Sequence, residues 1–216
     1  MTRNPTTKLD AAHFDSKARQ WDDNPVFKER GLKIADAVRR AVPLDRTMSA
    51  LDYGCGTGLL SFPLRDELGS IVMADSSAGM LEVVAEKIAA QGVRNMTPMR
   101  LDLLADPLPA QRFDLIVTAM TLHHVPDTDA ILAVFRDLLN PGGYLCIADL
   151  DQEDGSFHGI EVDVHHGFDR GDLGRRAEQA GFSGIGFQTV FSIAKQQGDS
   201  TRDYPVFLLT ARRAGA

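Results

Sequence analysis

Short apolar runs alternate with amphipathic segments along most of the chain. Runs of strand length lie at 48–52, 70–75, 95–101, 113–119 and 144–150. The run at 113–119 is almost continuously apolar, which is typical of a central parallel strand that is buried on both faces. The segments between the runs have helical periodicity. The pattern therefore predicts an α/β fold with helices on both faces of a mostly parallel sheet.

The C-terminal part of the chain departs from this alternation. A helix predicted at 169–180 is followed by two further strand-like runs, at 182–193 and 204–211. The polar stretch at 196–203 between them has the length of a hairpin connection, so we expect the last two strands to be antiparallel.

Two helices are predicted before the first strand. The first covers 10–21, with Asp10 as a possible N-cap, and the second covers 25–42, opened by Pro25. The polar residues 1–9 are expected to fray.

Two aromatic residues of the first helix, Phe14 and Trp21, allow two interpretations. They pin the helix to the core, which we favour, or they form a lid over a ligand.

Three glycines at alternate positions follow the first strand. Gly54, Gly56 and Gly58 come directly after a strand that ends at Asp52, and a helix is predicted from Leu59 to Leu68. Glycine allows positive φ and close approach of a ligand to the backbone. The turn alone is weak evidence, because tight turns collect glycines. It lacks the G-x-G-x-x-G spacing of dinucleotide-binding proteins.

The second strand ends in a carboxylate, Asp75. In a parallel sheet this side chain emerges beside the glycine turn, where it can accept hydrogen bonds from both hydroxyls of a ribose. The alternative is an N-cap for the helix predicted at 77–91. Because Ser76 and Ser77 can also cap that helix, we favour the ligand role.

Composition narrows the class of protein. With 44% apolar and 25% charged residues, the 216-residue chain is predicted to be soluble and to form one domain. Its net charge of −7 argues against a general nucleic-acid binder. Two isolated cysteines, no apolar signal core and no run of membrane-spanning length predict a cytoplasmic protein.

Histidines follow the fourth strand and recur after the fifth. His123 and His124 lie where the carboxyl end of the sheet is expected, and one of them could bind substrate or act as a base. We expect the other to pack the loop, without deciding which. The segment 149–172 is rich in histidine and carboxylates, but it has no metal-ligand spacing, so we predict no metal.

Four features together resemble motifs of the class I S-adenosylmethionine (SAM)-dependent methyltransferases. They are the glycine turn after Leu51-Asp52, Asp75, the segment Leu122-His-His-Val125 and the turn Pro141-Gly-Gly143. The resemblance covers about residues 45–211 and is closest to the small-molecule subgroup that includes ubiquinone/menaquinone-biosynthesis C-methyltransferases. It implies a Rossmann-like seven-stranded sheet in the order 3-2-1-4-5-7-6, with strand 7 antiparallel. Residues 1–44 would form N-terminal cap helices on a core at 45–216.

The resemblance also implies a cofactor site. The glycine turn would hold the methionine end of SAM, Asp52 would orient the turn and favour the amino group, and Asp75 would hold the ribose. Asp102 and Leu103 would address the adenine, whose edge could also touch Met80. The complete set of candidate cofactor residues is Asp52, Gly54, Cys55, Gly56, Gly58, Asp75, Ser76, Met80, Asp102, Leu103 and Ala119. His124 and His123 are the candidate catalytic residues.

The implied reaction is in-line transfer of the methyl group of SAM to a small-molecule acceptor, leaving S-adenosylhomocysteine. A methyltransferase of protein or nucleic acid is the second interpretation, although Ala119-Met-Thr-Leu122 stands where base-modifying enzymes carry an Asn-Pro-Pro-Tyr motif. An oxidoreductase is disfavoured by the glycine spacing. A SAM-binding protein without catalysis stays open, as do the acceptor and the oligomeric state.

Overall fold

A seven-stranded mixed sheet forms the centre of the molecule. The computed structural model describes residues 11–159, 161–198 and 200–215. The strands are β1 (Ser49–Tyr53), β2 (Ser70–Asp75), β3 (Met96–Arg100), β4 (Phe113–Ala119), β5 (Leu139–Leu150), β6 (Phe182–Gln197) and β7 (Ser200–Arg213). Their order is β3-β2-β1-β4-β5-β7-β6. β7 runs antiparallel to β5 and β6, and the other pairs are parallel. The predicted fold and strand order are confirmed.

Helices cover both faces of this sheet. They are α1 (Ala11–Lys17), α2 (Pro25–Ala41), α3 (Ser61–Leu64), α4 (Ala78–Gln91), α5 (Thr128–Leu138) and α6 (Arg170–Gln179). A 3-10 turn, Ala18–Asp23, links α1 to α2. Most of the longer helices start at a side chain that accepts a hydrogen bond from the first turn: Asn24, Ser77, Asp127 and Asp169. None of the helices in the described part of the chain is long and apolar enough to cross a membrane.

The core has two layers because successive strand residues point to opposite faces of the sheet. Leu115 and Val117 of β4 pack in one layer with α2 and α4. Ile116, between them, packs in the other layer with α5 and α6. The central strand is thus buried on both sides, as its continuous apolar sequence predicted.

Several predicted boundaries are wrong. β5 begins at Leu139 and not at 144, and the first helix is α-helical only as far as Lys17. The helix expected from Leu59 to Leu68 covers only Ser61–Leu64. The N–H of Phe62 donates to the Gly58 carbonyl, but Pro63 has no N–H to continue the ladder. The stretch 196–203 is not a loop, because β6 and β7 pair as far as Gln197 and Ser200. Polar residues on an exposed hairpin resemble a loop in sequence.

The N-terminal helices are fastened over the carboxyl edge of the sheet. Asp15 of α1 accepts hydrogen bonds from the Ser77 hydroxyl and the Gly79 N–H. Asp22 accepts one from the Thr57 hydroxyl and forms an ion pair with Lys87, 2.9 Å from carboxylate oxygen to Nζ. The predicted N-cap Asp10 and residues 1–9 lie outside the described residues.

We predict opposite effects for alanine at two mid-helix glycines. A Cβ at Gly31 in α2 would lie 2.7 Å from the Leu59 carbonyl oxygen, whereas one at Gly174 in α6 would lie 3.5 Å from the Phe187 ring. Gly31→Ala should destabilise the fold by about 1–3 kcal/mol, because the backbone contact forces α2 outward. Gly174→Ala should stabilise it by about 0.5–1 kcal/mol, because alanine favours helix. Urea unfolding measures both, and equal effects would contradict this packing.

Candidate functional site

A cavity of about 620 Å³ lies at the carboxyl ends of the central strands, under the N-terminal helices. The strand order reverses between β1 and β4, which is where ligands bind in open α/β sheets. The predicted cofactor residues that line it are Asp52, Gly54, Cys55, Gly56, Asp75, Ser76, Met80, Asp102 and Ala119. Nine of the eleven predicted cofactor residues therefore lie around one cavity.

The glycine turn has the conformation for which glycine is needed. Gly54, Gly56 and Gly58 have φ of +69°, +52° and +83°. A Cβ at Gly54 would lie 2.3 Å from Thr121, so the two loops touch only because Gly54 lacks a side chain. At Gly56 a Cβ would have nothing within 4 Å, which leaves its backbone open to a ligand in the cavity.

Two of the predicted cofactor residues do not line the cavity. A Cβ at Gly58 would lie 2.8 Å from the Phe62 ring and 3.0 Å from Met73, so this glycine allows close packing beneath the turn. Leu103 is 3% exposed and packs in the core.

The Asp75 carboxylate joins the glycine turn to α4. One oxygen accepts from the Gly56 N–H and the other from the Ser77 N–H, both at 2.8 Å. Ser77 itself caps α4, because its hydroxyl accepts from the Met80 N–H. Burial is the main cause that raises the pKa of Asp75 above its usual value. These hydrogen bonds thus hold the carboxylate at the cavity wall and connect it to the glycine turn.

Asp52 is a second buried carboxyl group in the same wall. It is 1% exposed, and its Oδ2 atom accepts a hydrogen bond of 2.6 Å from the Ser61 hydroxyl. Burial raises its pKa to about 7. A cation in the cavity would favour the ionised form of this group.

Arg30 brings a positive charge into the cavity, which the sequence did not reveal. It projects from α2 into the lining, and its guanidinium carbon lies 4.9 Å from the centre of the Phe27 ring. Among the described residues no carboxylate lies within ion-pair distance of it, and burial lowers its pKa to about 10. An arginine placed in this way can bind an anionic group.

The adjacent histidines have different surroundings. His123 is 1% exposed; its Nδ1 lies 2.7 Å from Asp149 Oδ1, and its backbone N–H donates to the same carboxylate. His124 lines the cavity, with its ring edge-on to Phe14. Burial, followed by the nearby His123 and His158 rings, lowers the pKa of His124 to about 3, so it is neutral at physiological pH. Of the two candidates, only His124 is in the lining.

Aromatic side chains close the cavity from the N-terminal side. Phe14, Trp21 and Phe27 all line it, with ring centroids 6.0 Å apart for Phe14–Trp21 and 4.8 Å for Trp21–Phe27. This position supports the lid interpretation over the core-pinning one that the sequence favoured.

Met120 is another lining residue that the sequence analysis missed. It is the non-glycine residue with positive φ, +56°, among the described residues, and its N–H donates to the Ala148 carbonyl. A strained residue of this kind at a cavity wall is typical of functional sites. No sequence signal marks it.

A glycine turn, an acidic residue at the end of the next strand and an enclosed cavity at the switch point define a site for a nucleotide-like cofactor. The sequence profile of a methyltransferase domain family matches residues 26–185. The chain belongs to this family, which confirms the resemblance seen in the motifs.

Relatives within the family are methyltransferases by name. Aklanonic acid methyltransferase DauC of Streptomyces sp. (strain C5) is 30% identical over 135 residues, or 60% of each chain. The ubiquinone biosynthesis O-methyltransferase of Coxiella burnetii is 31% identical over 149 residues, which covers 67% of this chain and 63% of that protein. This chain thus spans about three fifths of the length of these relatives.

A solved structure supports the fold. N-methyltransferase NodS from Bradyrhizobium japonicum WM9, in complex with S-adenosylhomocysteine, superposes with a TM-score of 0.69 at 16% identity. The superposition covers 94% of this chain and 97% of NodS.

We predict that Asp52 gives the ligand-free protein a pH-dependent stability. Because its folded pKa is about 7 and its usual value is 3.8, the protonated form stabilises the fold, and this contribution is lost as the pH rises through about 7. Between pH 5 and pH 8 the free energy of unfolding of the wild type should fall by on the order of 2 kcal/mol more than that of Asp52→Asn. Urea unfolding of both proteins at both pH values tests this. Parallel pH profiles would show that Asp52 is already ionised at pH 5.

Proposed function

We propose that this protein binds SAM in the cavity and transfers its methyl group to a small-molecule acceptor. The observation that carries the proposal is the arrangement of charge around the glycine turn. Asp52 and Asp75 lie in one wall, and the lining also contains Arg30, which has no ion-pair partner among the described residues. SAM offers a cationic sulfonium and ammonium, an anionic carboxylate and two ribose hydroxyls. These groups complement that arrangement.

The residues that line each part of the cavity would then contact a different part of SAM. Gly54 and Gly56 leave room for the methionine end, whose ammonium is favoured by Asp52 and the Ala119 carbonyl, and whose carboxylate pairs with Arg30. Asp75 accepts the ribose hydroxyls. The adenine lies toward Asp102, between Met80 and the apolar residues Leu101 and Leu104 in the lining. Gly58 and Leu103 support this wall from beneath.

Methyl transfer depends more on the position of the acceptor than on catalytic side chains. The sulfonium already activates the methyl group, so the acceptor atom needs only to be held in line behind it while water is excluded. The acceptor forms a bond to the methyl carbon, and the carbon–sulfur bond breaks to leave the neutral thioether. His124 is neutral and faces the cavity, so it can accept a hydrogen bond from an acceptor O–H or N–H. His123 holds the loop that carries it.

The size of the site supports a small acceptor. Phe14, Trp21 and Phe27 form an aromatic cover over a cavity of about 620 Å³, the size of a small-molecule site. The relatives named for aklanonic acid and for ubiquinone biosynthesis also point to a small-molecule acceptor.

We expect the protein to bind S-adenosylhomocysteine with micromolar affinity and NADH not at all, as measured by calorimetry. Asp75→Ala should abolish detectable binding, because it removes the ribose acceptor and releases Gly56 and Ser77. Asp163→Ala, at an exposed carboxylate outside the cavity, is the control and should bind as the wild type does. Thermal melts show whether both variants are folded.

Binding of NADH in place of the thioether would overturn the cofactor assignment. Isotope from methyl-labelled SAM should appear in a small-molecule fraction of a cell extract. Label in protein or nucleic acid would overturn the proposed acceptor class, and binding without transfer to any fraction would overturn catalysis.

Arg30→Met should weaken binding of S-adenosylhomocysteine by roughly tenfold or more, because one hydrogen bond to a charged group contributes about 1.5–3 kcal/mol. Binding of 5′-methylthioadenosine, which lacks the amino-acid end, should not change. Arg46→Met removes an exposed arginine outside the cavity and is the matched control. Equal weakening of both ligands by Arg30→Met would show that Arg30 only shapes the cavity.

A further inference from the structure

Three histidines meet beside the cavity, one of them from a distant part of the sequence. His123 and His124 lie in the 3-10 turn after β4, and His158 lies in the segment after β5. One ring nitrogen of each lies within 4.8 Å of the others. The Nε2 atoms of His123 and His158 are 3.1 Å apart. This separation is close to the roughly 3.3 Å between two nitrogens bound to one tetrahedral Zn²⁺ at about 2.05 Å.

A buried carboxylate orients the central histidine. Asp149 is fully buried and accepts hydrogen bonds from the His123 ring, the His123 backbone and the Leu150 backbone. With Nδ1 committed to Asp149, the lone pair of His123 Nε2 is directed at the other rings. A carboxylate behind a histidine is the usual outer shell of a metal-binding imidazole.

One ring nitrogen of His124, Nδ1, is buried without a hydrogen-bond partner in the described structure. A buried polar atom of this kind indicates a partner such as a water or an ion.

We propose that His123, His124 and His158 bind one divalent transition-metal ion of the Zn²⁺ type, oriented by Asp149. Three imidazoles leave a fourth position, and His124 places it at the cavity wall, where water or an oxygen or nitrogen of a bound molecule can complete the coordination. The site goes beyond methyl transfer, since metal binding requires neither SAM nor an acceptor.

Two glycines with positive φ flank the third ligand. His158 lies between Gly155 and Gly159, which have φ of +88° and +97°. Both glycines have backbone conformations that other residues adopt with strain, and a Cβ at Gly159 would have nothing within 4 Å. The competing arrangement is a simple hydrogen bond between His158 and His123, which would leave the buried Nδ1 atom of His124 without a partner.

The test is a titration of tag-free, chelator-treated protein with Co²⁺, a spectroscopic probe for Zn²⁺ sites. We expect one equivalent to bind, with the intense visible bands of low-coordinate Co²⁺, and one equivalent of Zn²⁺ to displace it. His158→Ala and His124→Gln should each weaken binding at least tenfold. Asp149→Asn should weaken it by about 10- to 100-fold through misorientation of His123.

His166→Ala is the matched control, because His166 is an exposed histidine of the same segment outside the cluster. It should bind Co²⁺ as the wild type does. Thermal melts show which variants keep the fold, and His124→Gln serves as the ligand variant if His158→Ala does not fold. The absence of stoichiometric Co²⁺ binding by the wild type would overturn the proposal. Binding that survives in folded His158→Ala or His124→Gln would also overturn it.

Discussion

The candidate site depends on the hydrogen bonds of the Asp75 carboxylate. Its two oxygens hold the N–H groups of Gly56 and Ser77, so one side chain fixes both the glycine turn and the start of α4. Such hydrogen bonds to a carboxylate are stronger than neutral ones, and the partial burial of this group strengthens them further. The end of β2 thereby sets the distance between the two backbone segments that enclose the cofactor cavity.

The N-terminal helices that cover the cavity are held by contacts to the same two segments. Asp15 of α1 binds the Ser77 hydroxyl and the Gly79 N–H, and Asp22 connects Thr57 of the glycine turn to Lys87 of α4. The cover is therefore attached to the two segments that Asp75 aligns. Phe14 depends on these polar contacts for its position, because α1 has no buried residue. Phe27, in contrast, lies on α2, which is anchored in the core.

The sequence predicted those features of the fold and site that depend on residues close together in the chain. The glycine turn, Asp75 and the strand order follow from signals that lie within one strand–helix unit, or from a family with the same units. The short α3 was missed because apolar periodicity outweighed the proline inside it. Arg30 was missed for another reason: nothing near it in sequence marks it, and only the packing of α2 brings it to the cavity. His158 lies in the segment whose histidines and carboxylates the sequence did mark, but only the packing of that segment places it beside His123.

The adjacent residues His123 and His124 have different surroundings, which the sequence alone could not distinguish. In a 3-10 turn, successive side chains are about 120° apart, since there are three residues per turn. His123 therefore points into the protein toward Asp149, while His124 points to the cavity. Because Asp149 holds His123 through both its ring and its backbone, it also fixes the direction of His124. A single buried carboxylate at the end of β5 thus fixes the His124 side of the cavity, as Asp75 at the end of β2 fixes the side of the glycine turn.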